Sequence, residues 1–308
     1  MHPLYTIRLV EDDELLNLTG LFVDGVIGRD GKAVVGIIKD DLELNREMEV
    51  VFLDEKGNIL SKIQGVEVID ASEDGVLMVS DALIAAYDFS GKIKWERKIR
   101  EVPEEGKVGE NVVALKLGGK LKIMEPTQER EVEGITSYDV SGRYVVLVDE
   151  KGNVSLFKGT IPLWSIEVKI DKPRVAVSRS GVVAVADKKR LLKIANGRIL
   201  WEKKVGDVQE FFLDGENILA VLPDGLHFYG EREWVVEKDI LTAWRIDRGV
   251  YGIVGGNPDT FMLVSDRGKV RNVMRVGTMW KFLRTLSPKL IGVVTDCGML
   301  YLWEVKGC

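Results

Sequence analysis

Short apolar runs, each ended by turn-forming residues, follow one another along almost the whole chain. Val, Ile, Leu and aromatic residues make up the runs, as in "KAVVGIIKD" at 32–40 and "LIGVVTDCGMLYLWEV" at 290–305. Gly, Asp, Asn or Ser stand between them, and such short runs with such boundaries are typical of β-strands joined by hairpins. The pattern therefore predicts an all-β chain with almost no helix.

A turn glycine precedes the last strand of each unit at a nearly regular spacing. The intervals are 34, 68, 38, 33 and 38 residues, counted along Gly57, Gly91, Gly159, Gly197, Gly230 and Gly268. The interval of 68 holds two units, and its middle unit is the degenerate stretch 120–134. A period near this length with four strands per unit is what the blades of a β-propeller show.

Eight four-stranded units fit the chain, so we expect one eight-bladed β-propeller domain over residues 1–308. The C-terminal unit stops at Cys308 before an outer strand, and the strand at 4–10 has no earlier strand to pair with. Pairing these two ends would close the ring and leave no open sheet edge. Seven blades are the alternative, if the weak unit around 108–134 is a long connection.

The stretch "AYDFSGKIKW" at 86–95 indicates what the repeated residues do. We expect Asp88 to cap the turn with its side chain and Gly91 to adopt a backbone angle that a residue with Cβ resists. Trp95 is expected to bury a large flat surface against the neighbouring blade. These residues therefore have a structural explanation.

This repeat resembles that of the quinoprotein (PQQ-like) β-propellers, in which Ala-x-Asp-x-x-x-Gly-x-x-x-Trp forms the last two strands of a blade. The stretch 86–95 matches it with one residue fewer between Asp and Gly, and "KIANGRILW" at 193–201 matches in part. The quinone-dependent dehydrogenases of that family typically use an adjacent Cys-Cys pair and calcium ligands, whereas Cys297 and Cys308 are not adjacent. The resemblance therefore implies the propeller repeat without the quinone chemistry, and no cofactor.

The sequence contains no recognisable catalytic or metal-binding set. Nucleophilic triads need a histidine, and only His2 and His227 are present. These two histidines and the two cysteines do not have zinc-site spacing, and nucleotide-binding glycine motifs are absent. We therefore predict no enzymatic activity, and no catalytic, cofactor-binding or metal-binding residues.

Charge and hydropathy limit the classes of partner. The net charge of −6 offers no basic footprint for nucleic acid or anionic lipid. No apolar run approaches the roughly 18 residues that span a bilayer, and the N-terminal region lacks the pattern of a signal peptide. We therefore expect a cytoplasmic protein without nucleic-acid or membrane partners. Its 30% of charged residues and scarce glutamine are typical of high-temperature organisms.

An aspartate follows the second strand of seven of the eight units, and equivalent turns of all blades lie on one face of a propeller. One interpretation is that these carboxylates cap tight hairpins. The other is an acidic face for a basic partner surface or a cation. The loops at 10–18, 40–47 and 100–110 are expected on the same face. The candidate interaction face consists of Asp40, Asp81, Asp149, Asp187, Asp224, Asp259 and Asp296.

Two main functional hypotheses follow from these observations. In the first, the protein is a non-catalytic propeller that acts as a protein–protein interaction scaffold or as a subunit of an intracellular complex. In the second, it is an enzyme or small-ligand binder with a site in the axial funnel, where the innermost strands converge. A role outside the cytoplasm is a further alternative, suggested by the frequent export of the resembled family.

Overall fold

The computed structural model describes residues 5–10, 18–41, 45–80, 83–255, 260–275, 280–287, 289–295 and 297–305. The regular elements within these residues are β-strands, and they form eight small sheets. The fold is an eight-bladed β-propeller, which confirms the predicted class and blade count. Because this part of the chain holds no helix, it also holds no helical segment suited to crossing a membrane.

Two compact units divide the chain. Unit 1 comprises residues 1–100, 257–263 and 271–308, and unit 2 comprises residues 101–256 and 264–270. Blades 2 to 7 are each a sheet of four strands in sequence order, joined by antiparallel hairpins, and blades 1 and 8 depart from this order. Blades 1 and 2, in unit 1, contain β2 (Leu18–Ile27), β3 (Ala33–Asp41), β4 (Arg46–Leu53), β5 (Ile59–Gln64), β6 (Glu67–Ser72), β7 (Gly75–Val79), β8 (Leu83–Tyr87) and β9 (Ile93–Lys98).

Unit 2 holds blades 3 to 6. The strands of blades 3 and 4 are β10 (Glu105–Val108), β11 (Val113–Leu117), β12 (Lys120–Met124), β13 (Glu129–Glu133), β14 (Ile135–Ser141), β15 (Tyr144–Asp149), β16 (Asn153–Lys158) and β17 (Ile161–Glu167). Those of blades 5 and 6 are β18 (Arg174–Val177), β19 (Val183–Ala186), β20 (Arg190–Ala195), β21 (Arg198–Lys204), β22 (Glu210–Asp214), β23 (Asn217–Leu222), β24 (Gly225–Tyr229) and β25 (Trp234–Glu237).

The C-terminal part of the chain supplies blades 7 and 8. Blade 7 is formed by β26 (Thr242–Asp247), β27 (Val250–Gly255), β28 (Thr260–Ser265) and β29 (Val270–Arg275). Blade 8 combines β30 (Trp280–Phe282), β32 (Leu290–Thr295) and β33 (Met299–Glu304) with β1 (Tyr5–Arg8). The two-residue strand β31 (Arg284–Thr285) pairs in parallel with β2 and gives blade 1 a fifth strand.

The N-terminal strand completes blade 8, as predicted from the sequence. Strand β1 pairs antiparallel with β33, so that Tyr5 lies opposite Leu302 and Arg8 lies opposite Met299. The pairing continues beyond the strand, because the Leu9 amide donates to the Gly298 carbonyl at 2.8 Å. The last blade therefore takes its outer strand from the start of the chain.

The weak unit around 108–134 is a complete blade, which excludes the seven-blade alternative. Strands β10 to β13 form their own sheet in sequence order. The prediction that 100–110 is a loop is wrong for the second half of that stretch, because β10 occupies 105–108. This strand is short and alternates charged residues with the buried Gly106 and Val108, so it lacks the apolar run that identifies other strands.

The second strands are the most deeply buried part of each blade. Strands β7, β19 and β32 are buried at every position and read as continuous apolar runs. In unit 2, core clusters cover both faces of β19. In unit 2, Val146 and Val148 of β15 belong to one core cluster with Val183 and Val185 of β19, between blades 4 and 5. The outer strands alternate instead, as in the exposed and half-buried positions of β21.

Asp88 and Gly91 do what the sequence predicts. The Asp88 carboxylate accepts hydrogen bonds from the Ser90 and Lys92 amides at 2.8 and 3.0 Å, and Gly91 has a φ of 81°. At two places in unit 2, Gly197 and Gly268, the tryptophan of one blade covers the turn glycine of the next. A Cβ placed on Gly197 lies 3.3 Å from the Cβ of Trp164, so the tryptophan and the turn pack as a pair.

A β-bulge lies at the start of the outer strand in blades 1, 2, 4 and 5. In blade 5, Ile199 pairs with Ile194 and Trp201 pairs with Lys193, which leaves Leu200 as the extra residue. Neighbouring positions on a strand face opposite ways, so the bulge directs Ile199 and Trp201 to opposite faces of the sheet. The same register shift precedes Trp95 and Trp164. In blades 2, 4 and 5 the bulge therefore helps to set the face of the sheet on which the tryptophan lies.

Candidate functional site

Four of the seven predicted aspartates lie in the described part of the chain. Asp81, Asp259 and Asp296 fall outside it, as do His2, Cys308 and most of the loop at 10–18. Asp40 lies in unit 1, exposed at the end of β3 and opposite Arg46. Asp149, Asp187 and Asp224 lie in unit 2, each next to the second strand of its blade.

Asp149 and Asp187 cap the turns in which they lie. One oxygen of Asp149 accepts from the Lys151 and Asn153 amides, both at 2.9 Å. Asp187 accepts from the Lys189 and Arg190 amides at 2.6 and 2.7 Å. Partial burial would raise the pKa of each carboxyl, but these hydrogen bonds outweigh it, and the pKa of both lies below the ordinary value. Both carboxylates are thus engaged by their own hairpins.

Asp224 differs from these two aspartates, because its hydrogen bond joins two side chains. The carboxylate lies 2.8 Å from Nε2 of His227 on β24, and its side chain is 67% exposed. The His227 ring also stacks against Tyr229, with ring centroids 6.1 Å apart. His227 is therefore held by two neighbours.

The first strands of blades 3 to 6 enclose a polar pocket of about 380 Å³ within unit 2. Its charged side chains hold neighbouring blades together. Lys107 of the pocket pairs with Asp139 of the next blade at 2.7 Å, and Asp139 in turn accepts from the Val177 amide at 2.9 Å. Arg174 donates to backbone carbonyls at 208 and 209 of the next blade. These contacts give the polar residues of this pocket a structural role.

A much larger groove, of about 1460 Å³, crosses blades 5 to 7 within unit 2. It lies among the turns that join first to second strands and third to fourth strands. In an antiparallel sheet these turns lie at the opposite end from the turns that carry the predicted aspartates. We call this surface the unit 2 groove; its residues include Arg179, Lys193, Trp201, Glu216, Tyr229, Arg232, Arg245, Arg248, Tyr251 and Arg267.

Aromatic rings from two blades line the unit 2 groove. Trp201 of blade 5 and Tyr229 of blade 6 have ring centroids 6.2 Å apart, and the Lys203 ammonium lies over both rings at 5.6 and 5.2 Å. Burial raises the pKa of the Tyr229 hydroxyl, and the carboxylates of Glu233 and Asp224 add to the effect. The groove thus offers rigid rings beside a cation.

A buried carboxylate fixes the turns beneath the groove. Asp214 is 8% exposed, and it accepts from the Gly249 amide at 3.0 Å and the Tyr251 hydroxyl at 2.9 Å. The Arg245 guanidinium lies 3.4 Å away. Burial of Tyr251, with the Asp214 charge, raises the pKa of its hydroxyl well above the ordinary value, so Tyr251 remains a donor. These contacts join blade 6 to blade 7 and keep the groove in shape.

Some of the remaining charged side chains of the groove have ion-pair partners and others do not. Glu216 pairs with Lys193 at 3.4 Å, and Glu233 pairs with Lys203. Within the residues that the structure describes, the guanidinium groups of Arg232, Arg248 and Arg267 have no hydrogen-bond or ion-pair partner, and all three residues are exposed. These arginines lie on three different turns around the groove.

Unit 1 holds a smaller pocket, of about 280 Å³, between β2 and β3 on one side and β6 on the other. Aliphatic side chains dominate its wall, and Gly36 leaves space there, because an added Cβ would lie 3.7 Å from Val68. Asp24 and Arg284 also line it. Among the described residues, no three His, Cys, Asp or Glu side chains are arranged to hold a metal ion.

Comparisons with known proteins support the fold alone. No family model matches the chain, and no curated protein matches it. Among solved structures, BamB from Moraxella catarrhalis is 11% identical to this chain with a TM-score of 0.59, and the match covers 98% of this chain and 99% of the BamB chain. The computationally designed protein Ika8 is 12% identical with a TM-score of 0.60, covering 97% and 99%. BBS1N in complex with ARL6DN is 14% identical with a TM-score of 0.52, covering 79% and 92%. The chain shares its fold with β-propellers of very different sequence.

The unit 2 groove was not predicted from the sequence. Its arginines stand in ordinary turns such as "GERE" at 230–233 and "DRG" at 247–249 and 266–268, which read as solvated hairpins. The one available signal was that arginine occupies the same place in two turns of blade 7. Only the structure shows that these turns meet beside Trp201 and Tyr229.

Proposed function

We propose that this protein is a non-catalytic interaction scaffold, a subunit of an intracellular protein complex, and that it binds its partner through the unit 2 groove. The observation that carries the proposal is the combination of aromatic rings and unpartnered arginines in one groove. Trp, Tyr and Arg are the residues most enriched among those that dominate the energy of protein–protein binding. The groove of about 1460 Å³ also exceeds the usual range of small-molecule pockets, roughly 300–1,000 Å³.

Two further observations support a role without catalysis. The polar side chains of the innermost pocket in unit 2 are engaged between blades, and BBS1N, which shares the fold, was solved in complex with ARL6DN. We propose a PQQ-like repeat without quinone chemistry, in line with the likeness to BamB. We also propose a cytoplasmic location, which rests on the sequence alone. Fractionation of cells would test the location, and recovery of the protein with the envelope would contradict it.

Site-specific photo-crosslinking tests the groove as the partner site. A photo-crosslinking amino acid placed at position 248 should capture one protein, which should then recover this chain when it is purified itself. The same amino acid at position 198, which is exposed on β21 and outside the groove, is the matched control. Position 224 is one of the turn aspartates predicted from the sequence. Capture of the partner from position 224 but not from position 248 would place the partner on that face and contradict the proposal.

The unit 1 pocket supports a second candidate function, the binding of a small ligand. Its aliphatic wall, with Asp24 and Arg284 beside it, is the usual composition of a small-molecule site. Native mass spectrometry of the protein purified from its own cells would test this function. A bound small molecule that is lost in Gly36→Leu, which fills the pocket, would support it. A ligand-free wild-type protein would contradict it.

A further inference from the structure

We propose that the unit 2 groove selects an acidic segment of its partner, through carboxylates that bind Arg232, Arg248 and Arg267. This inference rests on the proposed function and specifies the chemistry of the partner. It begins with the turns that carry the three arginines. Arg232 lies between β24 and β25, Arg248 between β26 and β27, and Arg267 between β28 and β29, and all three line the groove.

The acidic residues of the groove leave these arginines available. Asp214 is buried against Arg245, Glu216 pairs with Lys193, and Glu233 pairs with Lys203. Glu231 and Asp266 are the other acidic residues of the lining, and both are exposed. Outside its ion pairs, the lining holds three exposed guanidinium groups and two exposed carboxylates, in a chain whose net charge is −6. The balance of free charge in the groove is opposite to that of the whole chain.

A guanidinium group binds a carboxylate with two parallel hydrogen bonds, so arginine selects carboxylates by geometry as well as by charge. The rings of Trp201 and Tyr229 lie in the same groove and provide apolar contact area. The partner segment that fits both features alternates acidic with apolar residues. Electrostatic attraction of this kind raises the association rate and weakens as salt is added.

Fluorescence anisotropy with three labelled peptides tests the charge requirement on the full chain. The probes are (Glu-Leu)₄, (Gln-Leu)₄ and (Lys-Leu)₄. We expect the Glu peptide to bind at least ten-fold more tightly than the Gln peptide, the Lys peptide not to bind, and the affinity to fall several-fold between 50 and 300 mM NaCl. Equal binding of the Glu and Gln peptides would overturn the inference, and so would no binding of the Glu peptide.

Charge reversal tests the residues. The triple variant Arg232→Glu, Arg248→Glu, Arg267→Glu should lose at least ten-fold in affinity for the Glu peptide and keep its thermal unfolding midpoint. Arg198→Glu adds a negative charge outside the groove and should change the affinity less than two-fold. An equal loss in the Arg198 variant would show attraction to the whole surface and overturn the inference. The triple variant tests the inference only when it is folded, so Trp201→Ala serves as a second variant without a charge change. Unchanged affinity of Trp201→Ala for the Glu peptide would also contradict binding in the groove.

Two outcomes separate this inference from the proposed function. Suppose that a cellular partner is crosslinked at position 248 but binds equally well at low and high salt. This result would support the proposed function and contradict the inference that the partner segment is acidic. A phosphoserine peptide that binds where the Glu peptide does not would overturn the carboxylate assignment. Failure of any partner to crosslink at position 248 would contradict the proposed function itself.

Discussion

The two ends of the sheets in unit 2 use their charged residues in different ways. At one end, Asp149 and Asp187 accept hydrogen bonds from amides of their own turns, which holds the hairpins in shape. At the other end, Arg232, Arg248 and Arg267 lie exposed around a groove, and the described residues offer their side chains no partner. Charged residues of the first kind explain folding, whereas those of the second kind are available for binding.

This difference shows why repetition alone is a poor guide to function. Asp149 and Asp187 recur at equivalent positions because the hairpins of blades 4 and 5 need the same tight turn, and a residue that serves its own hairpin in this way serves the fold. The groove arginines come from different turns of blades 6 and 7. Their common feature is a shared location, which appears only once the blades are assembled.

The largest loss of stability is expected for the buried carboxylate beneath the groove. Replacing Asp214 with Ala should lower the free energy of unfolding by about 3 kcal/mol, because Arg245 and the Tyr251 hydroxyl lose a buried partner. Urea unfolding measures the change. Glu216→Ala, whose carboxylate is 72% exposed, is the control and should change it by less than about 0.5 kcal/mol. A loss below about 1 kcal/mol for Asp214→Ala would show that this carboxylate does not hold the groove in shape.

A smaller effect is expected for a repeated turn glycine. Gly197→Ala should cost about 1–2 kcal/mol of unfolding free energy, because Gly197 has a φ of 70° and Trp164 covers the site. Gly206 has open space around it, so Gly206→Ala is the matched control and should be nearly neutral in the same denaturation experiment. Equal costs for the two variants would contradict the packing of tryptophan over the turn.

The aspartate turns themselves allow a direct comparison of roles. Asp149→Ala should lower the unfolding free energy by about 1 kcal/mol, because two amides of its turn lose their acceptor. Asp224→Ala should cost less than half as much, since its partner is the side chain of His227. Thermal or urea unfolding of both variants would decide this. If Asp224→Ala proves the more costly, the separation of the turn aspartates into capping and non-capping residues is wrong.

Acid should weaken the turns by a modest amount. The pKa of Asp149 and of Asp187 is lowered in the folded protein, so the stability they contribute is fully present above the ordinary pKa of about 3.9. It is lost as the pH falls through the lower, folded value. Unfolding free energies between pH 6 and pH 3 should therefore fall less in the double variant Asp149→Asn, Asp187→Asn than in the wild type. Parallel pH profiles would show that these carboxylates contribute nothing to acid sensitivity.

Much of the fold could be predicted from the sequence, because it follows from local chemistry repeated many times. The turn signals of Asp88 and Gly91, and the unpaired strand at 4–10, were sufficient to predict eight blades and the closure by β1. Strand β10 was missed because Glu105 and Lys107 interrupt its apolar pattern. The bulge before Trp201 was missed because register depends on the partner strand.

The groove was beyond prediction for a different reason. Its walls come from residues between 179 and 267, and their proximity depends on how three blades pack against one another. A single turn such as "DRG" carries no information about the rings that it will face. The predicted interaction face at the aspartate turns stays a prediction, and four of its seven residues can be placed in the described part of the chain.

One binding measurement tests the central claim, that the charges of the groove and not those of the aspartate turns bind the partner. The affinity of the labelled (Glu-Leu)₄ peptide would be compared among the wild type, the triple arginine-to-glutamate variant and Asp149→Asn, Asp187→Asn. We predict a loss of at least ten-fold in the arginine variant and a change of less than two-fold in the aspartate variant. Unchanged binding by the arginine variant, or a ten-fold change in the aspartate variant, would contradict the claim.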